Sequence, residues 1–271
     1  MLKGFIVNQM KVITISNQKG GVAKTTTVVS VGGCLSQMGY RTLLVDLDPH
    51  GSLTTYFGGN PESSDPSLYS IFKDPKFPVK RVIVKTKQPN LSYVPASMAL
   101  ATVERSGSSK QGLGLLVKTV LSSVSNDYDF VLLDSPPMLG VLMVNALAAC
   151  DILLIPVQTD YLAFKGLERM LRTLDMIYKS KKSSLPYLIV PTMFDRRTRA
   201  SMETLRKIRL KYEENCWAQC IPVDTKLRDA SQMGVPIGAS HPNCRASEAY
   251  AALSRLVLDR LELAGAIKNA V

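Results

Sequence analysis

An α/β fold, a single-domain, doubly wound and mostly parallel sheet with helices on both faces, is the architecture that this 271-residue sequence predicts. Three observations carry it. Short, almost unbroken apolar segments recur, several of them ending in a carboxylate; segments with three- and four-residue apolar spacing alternate with them; and a turn of small residues and lysines joins the first apolar segment to the first helix. Strands covered by helices on both sides read as continuous apolar runs because neither face meets water.

The first strand is expected at residues 12–15, directly before Lys19-Gly20-Gly21-Val22-Ala23-Lys24-Thr25-Thr26. A helix follows from Thr25 to near Gly39, where glycine ends it, and residues 41–48 form the second strand of a βαβ unit. The strand pattern returns at 128–134, 151–157 and 185–190, and helices are expected at 164–178, 201–212 and 246–263. Residues 63–70 and 106–109 are the most loop-like, yet neither is long enough for a domain linker, and no internal repeat is visible. Residues 1–10 therefore read as an N-terminal extension and 11–265 as one domain, for which this length supplies an ample core.

Composition narrows the setting. No run of about 18 apolar residues exists, and the apolar N-terminal stretch is too short for a secretory signal, so a cytoplasmic protein without membrane insertion is expected. The odd, scattered set Cys34, Cys150, Cys216, Cys220 and Cys244 argues against a disulfide framework. Cys216, Cys220, His241 and Cys244 are on paper four zinc ligands, but neither pair sits on a recognisable knuckle. With 33 basic against 22 acidic residues, a net charge of +11, the chain favours polyanions: nucleic acid or an acidic partner. Its densest basic stretch holds Arg196, Arg197, Arg199, Arg206, Lys207, Arg209 and Lys211, opposed by Glu203 alone.

The run from Lys19 to Thr26 is where chemistry concentrates. At a strand-to-helix turn successive backbone N–H groups point inward and the helix N-terminus adds partial positive charge, so polyphosphate is held there. Lys24 is then placed for the terminal phosphates and the Thr25 hydroxyl for magnesium. The match to G-x-x-x-x-G-K-[ST] is imperfect: Gln18 stands at the first glycine position and Ala23 at the second. A Cβ at residue 23 crowds the turn, but alanine is tolerated where φ stays negative, so nucleotide binding is expected to survive.

The extra lysine, Lys19, five positions before Lys24, gives this loop the look of the deviant Walker A motif, and the chain resembles the ParA/MinD family of dimerising ATPases. The likeness extends through Ser16-Asn17-Gln18, Val45-Asp46-Leu47-Asp48-Pro49, Pro191-Thr192-Met193-Phe194-Asp195 and Ile221-Pro222-Val223-Asp224. It implies ATP and Mg2+, with Gly20, Gly21, Val22, Ala23, Lys24, Thr25 and Thr26 around the phosphates, and Pro222 and Asp224 at the adenine. Asp134, ahead of Ser135-Pro136-Pro137, resembles the Walker B carboxylate holding magnesium with Thr25, and Asp46 supports the metal's outer shell. By the same resemblance, Lys19 is expected to cross a homodimer interface onto the partner's nucleotide, and Asp48 to place the hydrolytic water. The resemblance further implies slow hydrolysis stimulated by a cargo or adaptor protein, and non-specific DNA contacts. Arg196, Arg197, Arg199, Lys226 and Arg228 are the DNA candidates.

Residues 48–58, with His50 where glutamine is more usual, and 224–231 resemble the ParC-type branch linked to chemotaxis gene clusters, which implies positioning of chemoreceptor arrays and nucleoid-associated or polar localisation. Chromosome or plasmid segregation with a DNA-binding partner is the alternative, and a MinD-like membrane-associated ATPase the second. The last lacks support in residues 265–271, which form no basic amphipathic face. An iron–sulfur electron donor of the same class needs a cysteine just after Walker B, where this chain has Ser135.

Overall fold

The computed structural model describes residues 9–105, 113–180 and 185–268. Its sheet has seven strands, β1 Lys11–Ile15, β2 Thr42–Asp46, β3 Val84–Lys85, β4 Leu91–Val94, β5 Phe130–Asp134, β6 Ile152–Gln158 and β7 Tyr187–Thr192, in the order β3-β4-β2-β5-β1-β6-β7. All neighbours are parallel except β3, which pairs antiparallel to β4 at the edge. The five predicted strands are all present. The first of the two unpredicted ones, β3, is only two exposed residues long, and β4 is four residues without a flanking pattern long enough to read. The strand expected over 41–48 stops at Asp46, so Asp48 lies in the turn beyond the sheet, where a side chain can face a ligand.

Eleven α-helices are described: α1 Lys24–Gln37, α2 Ser52–Tyr56, α3 Leu68–Lys73, α4 Leu100–Arg105, α5 Leu116–Ser122 and α6 Val141–Ala149 in the first half. The second half carries α7 Tyr161–Ser180, α8 Arg199–Lys211, α9 Lys226–Met233, α10 Ile237–Ser240 and α11 Arg245–Lys268. Strand residues alternate between faces, and each face has its own apolar layer. Ile13, Ile15, Leu44 and Phe130 pack under Val28 of α1 and Tyr250 and Leu253 of α11. Val12, Leu43, Val45 and Val131 face the opposite layer with Ile71, Leu100 and Leu142, while Leu153, Ile155 and Val157 meet α7 and α8. Helix α1 can approach α10 closely because Gly33 has no side chain; a Cβ there would collide with the Pro236 ring.

The expected extension lies largely outside the described residues, as do the loop at 106–109 and the last three residues. No helix among the described residues is long and apolar enough to cross a membrane. Cys216 is buried beside a parallel bridge to Ile189, and among the described residues no group of three or more metal-ligating side chains is assembled to hold an ion.

An ion-pair cluster ties α7 to α8. Glu168 receives Lys165 Nζ at 2.9 Å and Lys211 Nζ at 2.6 Å, and Lys211 also stands 5.8 Å from the Phe164 ring centroid. These bonds pull the Glu168 carboxyl from 4.5 down to about 2. Its stabilisation is therefore complete above the unfolded value of 4.5 and is lost as pH falls through the folded value. Glu168→Gln is expected to flatten the acid limb of the stability profile between these limits. An unchanged limb in urea melts at several pH values would contradict the assignment.

Candidate functional site

The turn from β1 into α1 is clamped from two sides. Asn17, fully buried, donates Nδ2–H to the Pro156 carbonyl at 2.7 Å and accepts the Lys19 N–H at 3.0 Å. Thr192 Oγ1 donates to the Val22 carbonyl at 3.2 Å. The ends of β6 and β7 thus fix the turn's shape. No side chain caps α1 and no acidic residue occupies its first turn, so its N-terminal N–H groups are left to an external anion.

That shape uses two left-handed residues, Gly21 at φ 71° and Ala23 at φ 69°. The expectation of a negative φ at residue 23 is therefore corrected. The helix begins at Lys24 with Ala23 as its N-cap, whose carbonyl accepts Thr27 N–H at 2.9 Å, and closing this turn forces φ positive. Left-handed backbone costs an L-residue about 1–2 kcal/mol, which glycine avoids.

Beneath the turn lies a floor of carboxylates. Asp46 and Asp134 are register partners on β2 and β5, and both are buried. Thr25 Oγ1 donates to Asp134 Oδ2 at 2.6 Å, while Asp134 Oδ1 is buried with no hydrogen-bond partner. Burial, then the charge of Asp46, raises the Asp134 carboxyl well above the carboxylate range. Burial likewise lifts Asp46 to about 7, against bonds from Thr54. Lys24 is lowered by the same desolvation, with Asp134 and Asp48 opposing it. An orphaned carboxylate oxygen beside a hydroxyl, in a floor with an excess of negative charge, fits a hard divalent cation. Asp46 lies beside Asp134 with its oxygens engaged locally. Its Oδ2 accepts Thr54 N–H at 2.8 Å and Thr54 Oγ1–H at 2.7 Å, and Oδ1 accepts Asp48 N–H at 3.2 Å, so its oxygens hold the turn into α2.

Asp160, missed in the sequence, and His50, read there only as a branch marker in a loop, complete the rim. Lys19 Nζ lies 3.1 and 3.3 Å from the two oxygens of Asp160, which also caps α7 through Ala163 N–H at 2.8 Å. Asp160 reads in sequence only as a residue before a helix, since its partner is 141 positions away. His50 Nδ1 is 2.8 Å from Asp48 Oδ1, and its backbone N–H donates to the same oxygen at 3.0 Å.

Farther along the same sheet edge is a cavity of about 590 Å3 lined by Pro222, Asp224, Phe194, Arg196, Arg197 and Arg245, among others. Pro222 and Asp224 share the lining of this cavity, and Asp224 spends its oxygens on the N–H groups of Lys226 at 3.1 Å and Ala246 at 3.2 Å. The basic candidates do not form one free face. Arg197 makes a two-pronged pair with Asp195, Arg199 pairs with Glu203 at 2.6 Å, and Lys226 pairs with Asp229 at 3.0 Å. Among the described residues, Arg196 and Arg228 have no ion pair.

Ala23→Gly is expected to stabilise the folded chain by about 1 kcal/mol, the left-handed cost less the extra freedom of an unfolded glycine. Urea unfolding of the two proteins reads this directly; a lower midpoint for the glycine variant would contradict the turn's geometry.

Comparison with known proteins places the chain in a family. A family model described as an AAA domain matches residues 10–187. The sporulation initiation inhibitor protein Soj of Bacillus subtilis is 35% identical over 248 residues, covering 91% of this chain and 98% of Soj. The chromosome partitioning protein ParA of Caulobacter vibrioides is 33% identical over 256 residues, covering 93% and 96%. A crystal structure of cobyrinic acid a,c-diamide synthase from Mycobacterium smegmatis, with bound ATP analog and magnesium, superposes with a TM-score of 0.80 at 31% identity over 93% of this chain and 96% of that one. With Lys19, Lys24 and Thr25 in the β1–α1 turn and Asp134 beneath it, the chain belongs to the ParA/MinD family of P-loop ATPases.

Proposed function

We propose that this protein is a dimerising ATPase that positions an intracellular cargo, binding a surface in its ATP state and releasing it after partner-stimulated hydrolysis. The observation that carries the reading is the Thr25–Asp134 pair, with its orphaned oxygen, under an uncapped helix N-terminus. Thr25 and Asp134 would hold Mg2+, which when bound neutralises phosphate charge. The backbone from Gly20 to Thr26 cradles the phosphates, Lys24 neutralises the terminal ones, and the adenine enters the cavity at Pro222 and Asp224. Asp48 orients the attacking water; His50 occupies its Oδ1 and leaves Oδ2 to accept the water's proton.

Lys19 acts across the dimer. Within one copy it is held by Asp160, so it must leave that carboxylate to reach a partner's nucleotide. The ion pair is about one-third exposed, and its rupture is correspondingly mild. With ATP and magnesium, Asp48→Ala is expected to sediment as a dimer and hydrolyse nothing, while Lys19→Ala stays single. Asp160→Asn, which frees the lysine, is expected to lower the ATP concentration for half-dimerisation several-fold. A single-copy Asp48→Ala protein would end the dimer reading.

The surface we propose is non-specific DNA, through Arg196 and Arg228 first, with Arg197, Arg199 and Lys226 joining when phosphate displaces their carboxylates. Reversing Arg196 and Arg228 together to glutamate is expected to abolish retention on duplex DNA at moderate salt. Single variants are expected to shallow the slope of log affinity against log salt by about one each. Unchanged retention in the double variant would remove DNA from the model.

For cargo we propose chemoreceptor arrays, supported by His50 and the segments at 48–58 and 224–231. Chromosome segregation is the second reading, favoured by the likeness to Soj and ParA. A fluorescent fusion imaged with chemoreceptors and with the chromosome origin separates them.

A further inference from the structure

Helix α8 carries a surface that the nucleotide site does not use. A groove of about 350 Å3 is lined by Phe194, Met202, Leu205, Arg206, Arg209 and Leu210. The five α8 residues among these follow spacings of three and four and so share one helix face. Met202 is 48% and Leu210 74% exposed, which leaves two large apolar side chains in water on either side of the two arginines. Phe194 also lines the larger cavity at Pro222, so one aromatic ring forms a wall of both.

The charge around this stripe is of one sign. No acidic side chain lines the groove, and the one acid of α8, Glu203, is already paired with Arg199. Arg206 is exposed and has no carboxylate partner among the described residues. Arg209 donates from Nη2 to the Ala218 carbonyl, but its buried Nε–H finds no acceptor. A half-buried guanidinium with an unused donor beside exposed apolar side chains is incomplete in both respects, since each lacks the contact that its chemistry requires.

We infer that this groove is the docking site for an acidic amphipathic helix of a second protein. Apolar side chains of that helix, three and four residues apart, cover Met202, Leu205 and Leu210, while its flanking carboxylates meet Arg206 and Arg209. Duplex DNA satisfies only the arginines, because its backbone offers nothing apolar to cover Leu210. A second copy of this strongly basic chain meets the groove with like charge. The inference is independent of the nucleotide reading, since docking is measured without hydrolysis. Because Phe194 is shared, the occupant sits one ring away from the nucleotide cavity, where a stimulating partner is useful.

The test is fluorescence anisotropy of the full chain with a labelled synthetic peptide of about 20 residues, long enough to form a helix, with leucines at three- and four-residue spacing and glutamates between them. Saturable binding in the micromolar range is expected, weakened about tenfold or more by Leu210→Asp and by Arg206→Glu. Both positions are exposed, so thermal unfolding should match the unaltered chain and exclude misfolding as the cause. A peptide of identical composition with its leucine periodicity scrambled is expected not to bind. No saturation up to about 1 mM, equal binding of the scrambled peptide, or unchanged affinity in both variants overturns the assignment. So does self-association, or binding to anionic vesicles or duplex DNA, that displaces the peptide and is itself lost in Leu210→Asp, because each assigns the groove to a different occupant.

Discussion

Two buried carboxylates side by side set the terms for the rest of the molecule. Asp46 and Asp134 end adjacent strands in register, out of reach of water; burial raises the proton affinity of both, and the charge of Asp46 adds to that of Asp134. Such a pair is tolerated only with compensation, because burying like charges costs far more than burying either alone. Part of the compensation is internal: Thr54 and the Asp48 N–H quench Asp46, and Thr25 serves one oxygen of Asp134. The remainder must come from cations. Lys24 is one, and the unserved oxygen of Asp134 asks for another.

Holding cations above that floor requires a turn of fixed shape, and strain follows. The chain climbs from β1 to α1 through two left-handed residues, one of which is alanine. It keeps that path because Asn17 and Thr192 bind it to the ends of β6 and β7, so the sheet over-determines the turn and absorbs its cost. The same clamp leaves the N-terminal N–H groups of α1 facing outward. Strain and binding capacity thus share one origin.

Positive charge, abundant in composition, is distributed unevenly once the chain folds. Within the dense basic stretch from Arg196 to Lys211, Arg197, Arg199 and Lys211 are neutralised by nearby acids, Arg196 and Arg197 line the cavity at Pro222, and Arg206 and Arg209 stand beside the apolar stripe of α8. Lys211, for instance, spends its charge joining α8 to α7 through Glu168. A count of charges says that polyanions are favoured, but the pairing decides which cations are free to meet them.

The sequence by itself determined the mostly parallel sheet, its five longer strands, the phosphate turn and the carboxylates at the strand ends. Each is a local pattern: apolar runs of strand length, glycine and lysine at fixed spacing, a carboxylate just past an apolar segment. Only the tertiary structure decided what depends on residues distant in the chain. It gave Ala23 a left-handed φ, because the clamp comes from β6 and β7. It set Lys19 on Asp160, tied Asp46 to the turn before α2, and opened the α8 groove, whose empty face appears only when the helix's other side is packed. Side chains brought together by folding exchange partners that no linear spacing records, so periodicity reveals the elements while contacts alone reveal which charges and donors remain unsatisfied.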